Sequence, residues 1–546
     1  MEIKLIHSLE KILRNHEPML TEENGIMLAN EVYHFQIAIL LDGSSTLHGC
    51  RVVMEGALTP FITLRDEGYV SCATASEFRD DGYINDGYGV FPDILRPFGN
   101  LGLVLRSREW HAVWVTVGAG KPIPPGKYET TFHILKKDGT LLGSVRHKLK
   151  VLRIRLPETD LRITDWIHYD CIAARHDVRV FSRPFYRIFR QYLRSYICEG
   201  NTMLYVPLFT PPLDTEVGTE RMTVQLVDVY EEDGGYRFGF DKLRRFIRFA
   251  LKEGVRYFEF SHLITQWGGK ACPKIEIHTA NGVKNMFGWD VPSDDLRYFR
   301  FLDAFLPALV REIQELGIAD VSYFHLTDEP TEKSVDIYKK CRELLKLHIG
   351  DLPIMDALGV YTFYEEGLVD TPVPSIDVFP RFRDNKVSEM LVYNCLGQAG
   401  HNLTNRFIAM PSYRTRILGM MLYRAEVAGY LHWGYNFYNS ALSLEKNLDP
   451  YAVNDAGGAF PPGDAFIVYP TADGVLSSLR YETVRDGYQD YRALMLLASA
   501  VGKPRVFSML DDFGVRNFNE YPDAPACFIK FRETIYHEIE SVYSKK

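Results

Sequence analysis

The stretch Val321-Ser-Tyr-Phe-His-Leu-Thr-Asp-Glu-Pro330 decides how the rest of the chain is read. It begins as a short apolar run, which reads as a buried strand, and stops at two adjacent carboxylates and a proline. Beyond it Val335, Ile337, Tyr338, Cys341, Leu344 and Leu345 recur at helical spacing. Pro330 suits the junction, because proline is tolerated at a helix start and not inside a central strand. Asp328 and Glu329 therefore stand at the C-terminal end of a strand, before a crossover helix. In an α/β barrel that edge is where side chains from several strands converge on a ligand. The plain alternative is that one of the two acids caps the helix.

Units of the same kind recur from Pro157 onward. A helix over 185–198 is stopped by Gly200, and 202–207 is a strand. A helix over 241–252, with Asp241 at its start, is stopped by Gly254, and 255–263 is a strand. Ser293 can cap the next helix, which Gly317 ends before the strand leading to Asp328. A helix over 412–428 is stopped by Gly429 and followed by a strand. Glycine after a helix supplies the left-handed turn that closes it. Strands at 161–167, 202–207, 257–263, 322–327, 353–358, 375–379, 389–394 and 430–435 give the count of a (β/α)8 barrel. A doubly wound open sheet is the alternative, but no GxGxxG or P-loop follows any early strand.

Residues 1–156 read as β. The segment 25–41 is long and extended, and both faces of 110–117 are rich enough in apolar residues to be covered. Ile123-Pro-Pro-Gly126 and Lys137-Asp-Gly139 mark turns. Such spacing predicts a β-sandwich. Within it lies an aromatic, Gly- and Asp-rich loop over 80–98, whose Tyr83, Tyr88, Phe91 and Phe98 argue against disorder. The expected architecture is an N-terminal β-sandwich (1–156) followed by a TIM-like barrel (157–546) with a helical C-terminal end, including helices over 481–498 and 528–542.

Composition bounds the function. Of 546 residues, 46% are hydrophobic and 24% charged, which is globular rather than disordered. A formal net charge of −9 argues against a nucleic-acid or anionic-membrane partner. The charged N-terminal stretch has no apolar core of a secretory signal, and no run approaches the ~18 apolar residues of a spanning helix. The eight cysteines are scattered singly, so neither a zinc site nor a disulfide framework is indicated. They read as reduced thiols, most of them buried, of a cytoplasmic protein. No cofactor is expected, and nothing bears on oligomeric state.

If the barrel holds, its strand ends gather a definite set. The first brings His168 and Asp170 beside Trp166 and Tyr169; the third brings His262, Gln266 and Trp267. The fourth brings Asp328 and Glu329, the fifth Asp356, the seventh Tyr393 and Asn394, and the eighth Trp433, Tyr435 and Asn436. Carboxylates and amides bind hydroxyls and rings stack on the apolar face of a sugar, so the inventory suits a polyhydroxylated ligand. Taken singly, each His or Trp can equally be a satisfied core group, and Asp356, in Ile-Met-Asp-Ala-Leu, can be structural.

Phe324-His-Leu-Thr-Asp-Glu-Pro330 resembles the Asp-Glu-Pro segment of glycoside hydrolase family 123. Three further stretches fit in order: Trp114-Val-Thr-Val117 through Pro125-Gly-Lys-Tyr128, Gly429-Tyr-Leu-His-Trp-Gly-Tyr-Asn436, and Ser478-Leu-Arg-Tyr-Glu-Thr-Val-Arg-Asp-Gly-Tyr-Gln-Asp-Tyr491. The resemblance implies a β-sandwich with a (β/α)8 barrel and a β-N-acetylgalactosaminidase acting by substrate assistance on an oligosaccharide or glycoside. It implies Glu329 as acid/base, Asp328 as the carboxylate orienting the acetamido group, and Tyr393 as the acetamido-binding tyrosine. Both acids can serve one site only if the strand ends or bulges at Asp328, since successive strand residues point oppositely. The seventh strand offers no acid at its end, which favours substrate assistance over a two-carboxylate retaining reaction. The alternatives are a carbohydrate-binding protein without catalysis, and a glycosidase of this architecture acting on another sugar.

Overall fold

A computed structural model describes residues 1–72, 77–99 and 102–544. The protein is mixed α/β. Its N-terminal part contains two five-stranded sheets. One runs in the order Glu2–His7, Tyr33–Leu40, Trp110–Val117, Ile62–Cys72, Gly89–Pro97; the other runs Asn24–Leu28, Leu141–Leu152, Gly126–Leu135, Leu47–Glu55, Leu103–Leu105. Phe35, Ile37, Val113, Val115, Phe132, Ile134, Leu149 and Val151 share one core between them. Trp110–Val117 is covered on both faces as its sequence predicts: Val113 and Val115 face this core, while Trp114 packs with Leu95 and Leu479. The extended segment 25–41 is two strands in different sheets, split where the Glu31 N–H turns back to the Leu28 carbonyl.

Eight short parallel strands follow: β1 (Arg162–Asp165), β2 (Met203–Val206), β3 (Tyr257–Phe260), β4 (Ser322–Phe324), β5 (Met355–Leu358), β6 (Thr371–Pro374), β7 (Leu391–Tyr393) and β8 (Gly429–His432). Parallel ladders join β2 to β3, β3 to β4, β5 to β6, β7 to β8 and β8 to β1. Parallel bridges Phe324↔Ile354 and Ser375↔Tyr393 lie between β4 and β5 and between β6 and β7. Thr202 and Ile163 hydrogen-bond between the beginnings of β1 and β2. β6 lies four residues before its expected place, because Pro372 and Pro374, which read as breakers, sit within the strand itself. At the start of β8 a Cβ on Gly429 would stand 2.0 Å from the Arg162 carbonyl oxygen, so only glycine lets β8 lie against β1.

Outside the strands pack amphipathic helices, among them Arg183–Glu199, Asp241–Glu253, Leu296–Glu315 and Val335–Ile349, through Phe189, Phe246, Phe305, Leu309 and Leu345. Gly254 ends the second of these with φ 115, the left-handed stop that its sequence announces. The third is capped by Asp295, not Ser293: Asp295 accepts from the Arg297 N–H, while Ser293 donates to the Gly269 carbonyl. The helix expected over 412–428 is two pieces, Ser412–Arg416 and Leu418–Ala425. A four-stranded sheet, Asp228–Glu232, Gly235–Gly239, Ile275–Thr279 and Gly282–Phe287, is inserted around β3 and was not legible in the sequence.

The long helix Leu479–Val501 joins the two parts. Its Arg480 pairs with Asp93 at 2.9 Å, its Asp486 with His34 at 2.9 Å, its Glu482 with Arg65 at 2.6 Å, and Gln489 bonds the backbone of Val32. Of the loop expected over 80–98, Gly89–Pro97 is instead a strand, paired antiparallel with Ile62–Cys72. The part before it is anchored: Asp80 accepts from Arg414 at 2.6 Å, and Tyr83 and Ile84 pack beside the cluster holding Phe437 and Phe460. No helix among the described residues is long and apolar enough to cross a membrane.

Candidate active site

β4 stops at Phe324, and the chain runs on through the two acids without helical structure. The helix beyond is capped by Thr331, in a reciprocal box with Ser334, so neither acid is needed as a cap. Asp356 at the entry of β5 takes the Leu326 N–H at 2.9 Å and the Thr327 N–H at 3.5 Å; the Thr327 hydroxyl donates to the Thr265 carbonyl. The Trp267 N–H donates to the Asp328 carbonyl at 2.9 Å. Glu329 has φ 44, a left-handed conformation that costs a side-chain-bearing residue roughly 1–2 kcal/mol. Strand alternation is thereby broken, and Asp328 and Glu329 line one pocket.

Trp267, Tyr393 and Trp433 line the same pocket, with Trp166, Leu213, Asp214, Ala357, Cys395, Leu396, Leu431 and Phe460. The Tyr393 hydroxyl donates to Oε1 of Glu329 at 2.6 Å. Trp433 donates from Nε1 to Oδ2 of Asp464 at 2.9 Å, which fixes its indole plane. Trp267, also left-handed at φ 54, is 47% exposed and stands as a free aromatic face.

Burial raises both acids. It pushes Asp328 well above the usual carboxylate range, and the neighbouring Glu329 charge adds to this. Glu329 is raised by burial against the opposing Tyr393 hydrogen bond. Two such groups resist ionising together, so once one holds a proton the other ionises more readily. Asp214 is pushed up to about 6 by burial, with Arg221 opposing.

Beneath the pocket His325 bridges two buried carboxylates. Nε2 lies 2.8 Å from Glu259 and Nδ1 lies 3.3 Å from Asp356. Burial lowers the His325 imidazole, but these two partners outweigh it and hold it up at about 9. Glu259 also accepts from Trp166 Nε1, and Asp356 from the Tyr338 hydroxyl. His262 stacks on His325 with ring centroids 4.5 Å apart. His262, His325 and Asp356 come together as a metal-ligand set would, yet both His325 nitrogens are engaged with carboxylates. The cluster reads as an ion-pair network.

Of the residues expected at the strand ends, His168, Asp170, His262, Asn394 and Asn436 lie elsewhere, as do Tyr169, Gln266, Asp356 and Tyr435. His168 bonds the Trp433 carbonyl and faces Arg221, and its imidazole is pushed down to about 3, first by burial and then by that guanidinium. Asp170 holds Arg221 bidentately at 2.6 and 2.8 Å; burial raises its carboxyl, and Arg221 more than offsets this. His168 and Asp170 line a neighbouring small cavity that shares Trp166 and Leu213 with the acid pocket. Asn436 ties β8 to β1 through the backbone of His168. Asn394 is spent on Tyr430 and the Thr404 carbonyl, and His262 on the Tyr205 hydroxyl. The sequence reading missed Asp214, Cys395, Leu396 and Phe460. Asp214, in Thr-Pro-Pro-Leu-Asp, follows β2 at the same edge, so an acid after a strand and a proline pair was the available signal.

Residues 166–497 match the glycoside hydrolase 123 catalytic domain. In structure the chain is similar to a family 123 glycoside hydrolase from Clostridium perfringens described for glycolipid glycan hydrolysis. The TM-score is 0.74 at 13% identity, over 99% of this chain and 98% of that one. A β-glucuronidase from Parabacteroides merdae overlaps 89% of this chain and 52% of its own at TM-score 0.33 and 12% identity. An endo-β-1,4-mannanase from Thermotoga petrophila overlaps 62% and 78% at TM-score 0.36 and 13% identity. These two likenesses are too slight to carry argument. No curated protein matches the chain in sequence. With more than half of its residues matching that catalytic domain, the chain belongs to glycoside hydrolase family 123.

Proposed function

We propose that this chain is a retaining β-N-acetylhexosaminidase that releases a terminal β-linked N-acetylhexosamine, N-acetylgalactosamine being favoured, by substrate assistance. One observation carries the reading: the left-handed Glu329 brings two consecutive acids into one pocket lined by Trp267, Tyr393 and Trp433. In the first step the acetamido oxygen attacks the anomeric carbon and the glycosidic C–O bond breaks. Glu329 gives its proton to the leaving oxygen, and Asp328 accepts a hydrogen bond from the acetamido N–H. Water then attacks the anomeric carbon, its proton passes to Glu329, and the ring formed by the acetamido group opens. Two displacements leave the β configuration. Burial raises both carboxyls, Asp328 the more, so the pair holds a proton readily; the reading needs that proton on Glu329, and an acetamido N–H donating to Asp328 favours the ionised form there. With Glu329 protonated, Asp328 loses the charge that most opposes its own ionisation.

Tyr393 would bind the acetamido group, and Trp267 and Trp433 would take the sugar face. The parallel ladders and bridges support a closed (β/α)8 barrel over 157–546, and the two packed sheets support a β-sandwich over 1–156. The reading invokes no metal or cofactor and places the enzyme in the cytoplasm. Oligosaccharides and glycosides are its substrates, and the glycolipid glycans named for the Clostridium perfringens protein are the first natural class to try.

A second reading rests on Asp214, a third carboxylate in the pocket. It would serve as the nucleophile of a two-carboxylate retaining reaction needing no acetamido group. The test is a set of aryl β-glycosides with and without a 2-acetamido group, with proton NMR of the first-formed sugar. Hydrolysis confined to acetamido sugars and a β product uphold substrate assistance; comparable rates on a plain β-galactoside, or an inverted anomer, overturn it.

A further inference from the structure

We infer that Asp214 is the carboxylate that grips a hydroxyl of the sugar in the acid pocket and so sets which hexose is accepted. The inference rests on the proposed reading only for the choice of probe sugar. Asp214 lines the pocket with Asp328, Glu329, Trp267 and Trp433. Its backbone is left-handed at φ 41, and the segment that holds it is strained in the same way, with Leu442 at φ 55 and Ser443 at φ 52. The two turns clasp each other. The Leu442 N–H donates to Oδ2 of Asp214 at 3.0 Å, the Ser443 hydroxyl donates to the Asp214 carbonyl at 2.8 Å, and the Glu216 N–H donates to the Leu442 carbonyl at 2.8 Å. Gln266, next to Trp267, secures the same stretch through the Thr215 carbonyl at 3.0 Å.

Strained backbone persists only where the surroundings over-determine it, and such positions cluster at ligand sites. Here four bonds fix the turn at the pocket wall, one of them made directly to the Asp214 side chain. Oδ2 is spent on Leu442; the other carboxylate oxygen has no protein donor among the described residues. A half-buried carboxylate at the pocket wall with one oxygen uncommitted, and with Arg221 near enough to favour its charge, is an acceptor waiting for a donor. In a sugar pocket the donor is a hydroxyl. Such a site discriminates strongly, because a ligand that covers the oxygen but lacks that hydroxyl takes it from water and leaves it unpaired.

The experiment is a cycle between protein and ligand, read by isothermal titration calorimetry. N-acetylgalactosamine, galactose and their 3-, 4- and 6-deoxy forms are titrated into the wild-type chain and into Asp214→Asn. Asparagine keeps an acceptor for the Leu442 N–H and tolerates φ above zero, so the turn is preserved. Removal of one particular hydroxyl should weaken wild-type binding at least tenfold. Asp214→Asn should weaken the parent sugar at least tenfold and that one deoxy sugar less than twofold. Equal losses on all three deoxy forms, or no loss on the parent, overturn the role. If the asparagine variant fails to fold, Asp214→Glu is titrated instead, with the same selective loss expected. Binding of galactose with no preference for the acetamido sugar would sink the proposed activity and leave the Asp214 cycle readable. Binding of neither sugar overturns both.

Discussion

The hydroxyl of Tyr393, at the end of β7, donates to Oε1 of Glu329, in the turn after β4, across 2.6 Å. A donor to the ionised form of an acid favours that form, so this bond holds Glu329 lower than burial alone would. Glu329 must be protonated to act as an acid, and activity therefore falls as pH rises through its pKa. Tyr393→Phe removes the donor and should move the alkaline limb of kcat/KM to higher pH. If Tyr393 also holds the acetamido group, kcat falls at least tenfold in the same variant. A pH profile with an unmoved alkaline limb would show that the bond does not tune the acid.

The two acids should separate by leaving group. Glu329→Gln should abolish turnover of substrates with poor leaving groups and affect activated aryl glycosides less, because these need little protonation to depart. Asp328→Asn should slow both kinds, since it weakens stabilisation of the cyclised acetamido intermediate. Equal losses on both substrate kinds in Glu329→Gln would remove it from the role of proton donor.

β2, β3 and β4 were legible because each follows a glycine-stopped amphipathic helix, and that rhythm survives a register error of a few residues. Before β8 the expectation fails in detail: the helix ends at Ala425 with Glu426 in the left-handed position, and Gly429 opens the strand instead of stopping the helix. β6 was misplaced because Pro372 and Pro374 sit inside a strand that carries only one ladder. The acid pair was legible because Pro330 announces the break in the strand. What the sequence could not show is where a strand-end side chain turns. His168, Asp170 and Asn436 stand at strand ends as expected, yet His168 and Asn436 bond one another's elements and Asp170 holds Arg221, so none of them lines the acid pocket. Asp214 went unread for the opposite reason: it enters the pocket from a loop, held by a partner 228 residues away.

Trp433 is held by a carboxylate that is itself fully buried. Asp464 is pushed up to about 7, burial being the main cause and the Trp433 hydrogen bond opposing it. Trp433→Phe keeps an aromatic face but takes away the donor, leaving a buried oxygen without its partner. That change should cost on the order of 1–3 kcal/mol of stability, read as a lowered urea midpoint. Trp433→Ala should in addition lower kcat/KM at least tenfold, about 1.4 kcal/mol of transition-state stabilisation. An unchanged specificity constant in Trp433→Ala would return the ring to a core role.

His325 ties the base of the site to the pH dependence of folding. It is fully buried between Glu259 and Asp356, and these carboxylates hold it at about 9 against an ordinary 6.5. A base raised in the folded state contributes its stability fully below its unfolded pKa and loses it as pH rises through its folded pKa. The contribution of His325 is therefore complete below about 6.5 and fades as pH climbs towards 9. His325→Gln leaves the two carboxylates without their cation, and breaking a buried ion pair from one side typically costs about 3–5 kcal/mol. The gap in unfolding free energy between wild type and His325→Gln should then be widest near pH 6 and should narrow by pH 9. Urea titrations at the two pH values measure it. A gap that stays constant, or widens with pH, would mean that the imidazole is neutral in the folded protein, and that Asp356 holds the Leu326 and Thr327 N–H groups without help from a charge behind it.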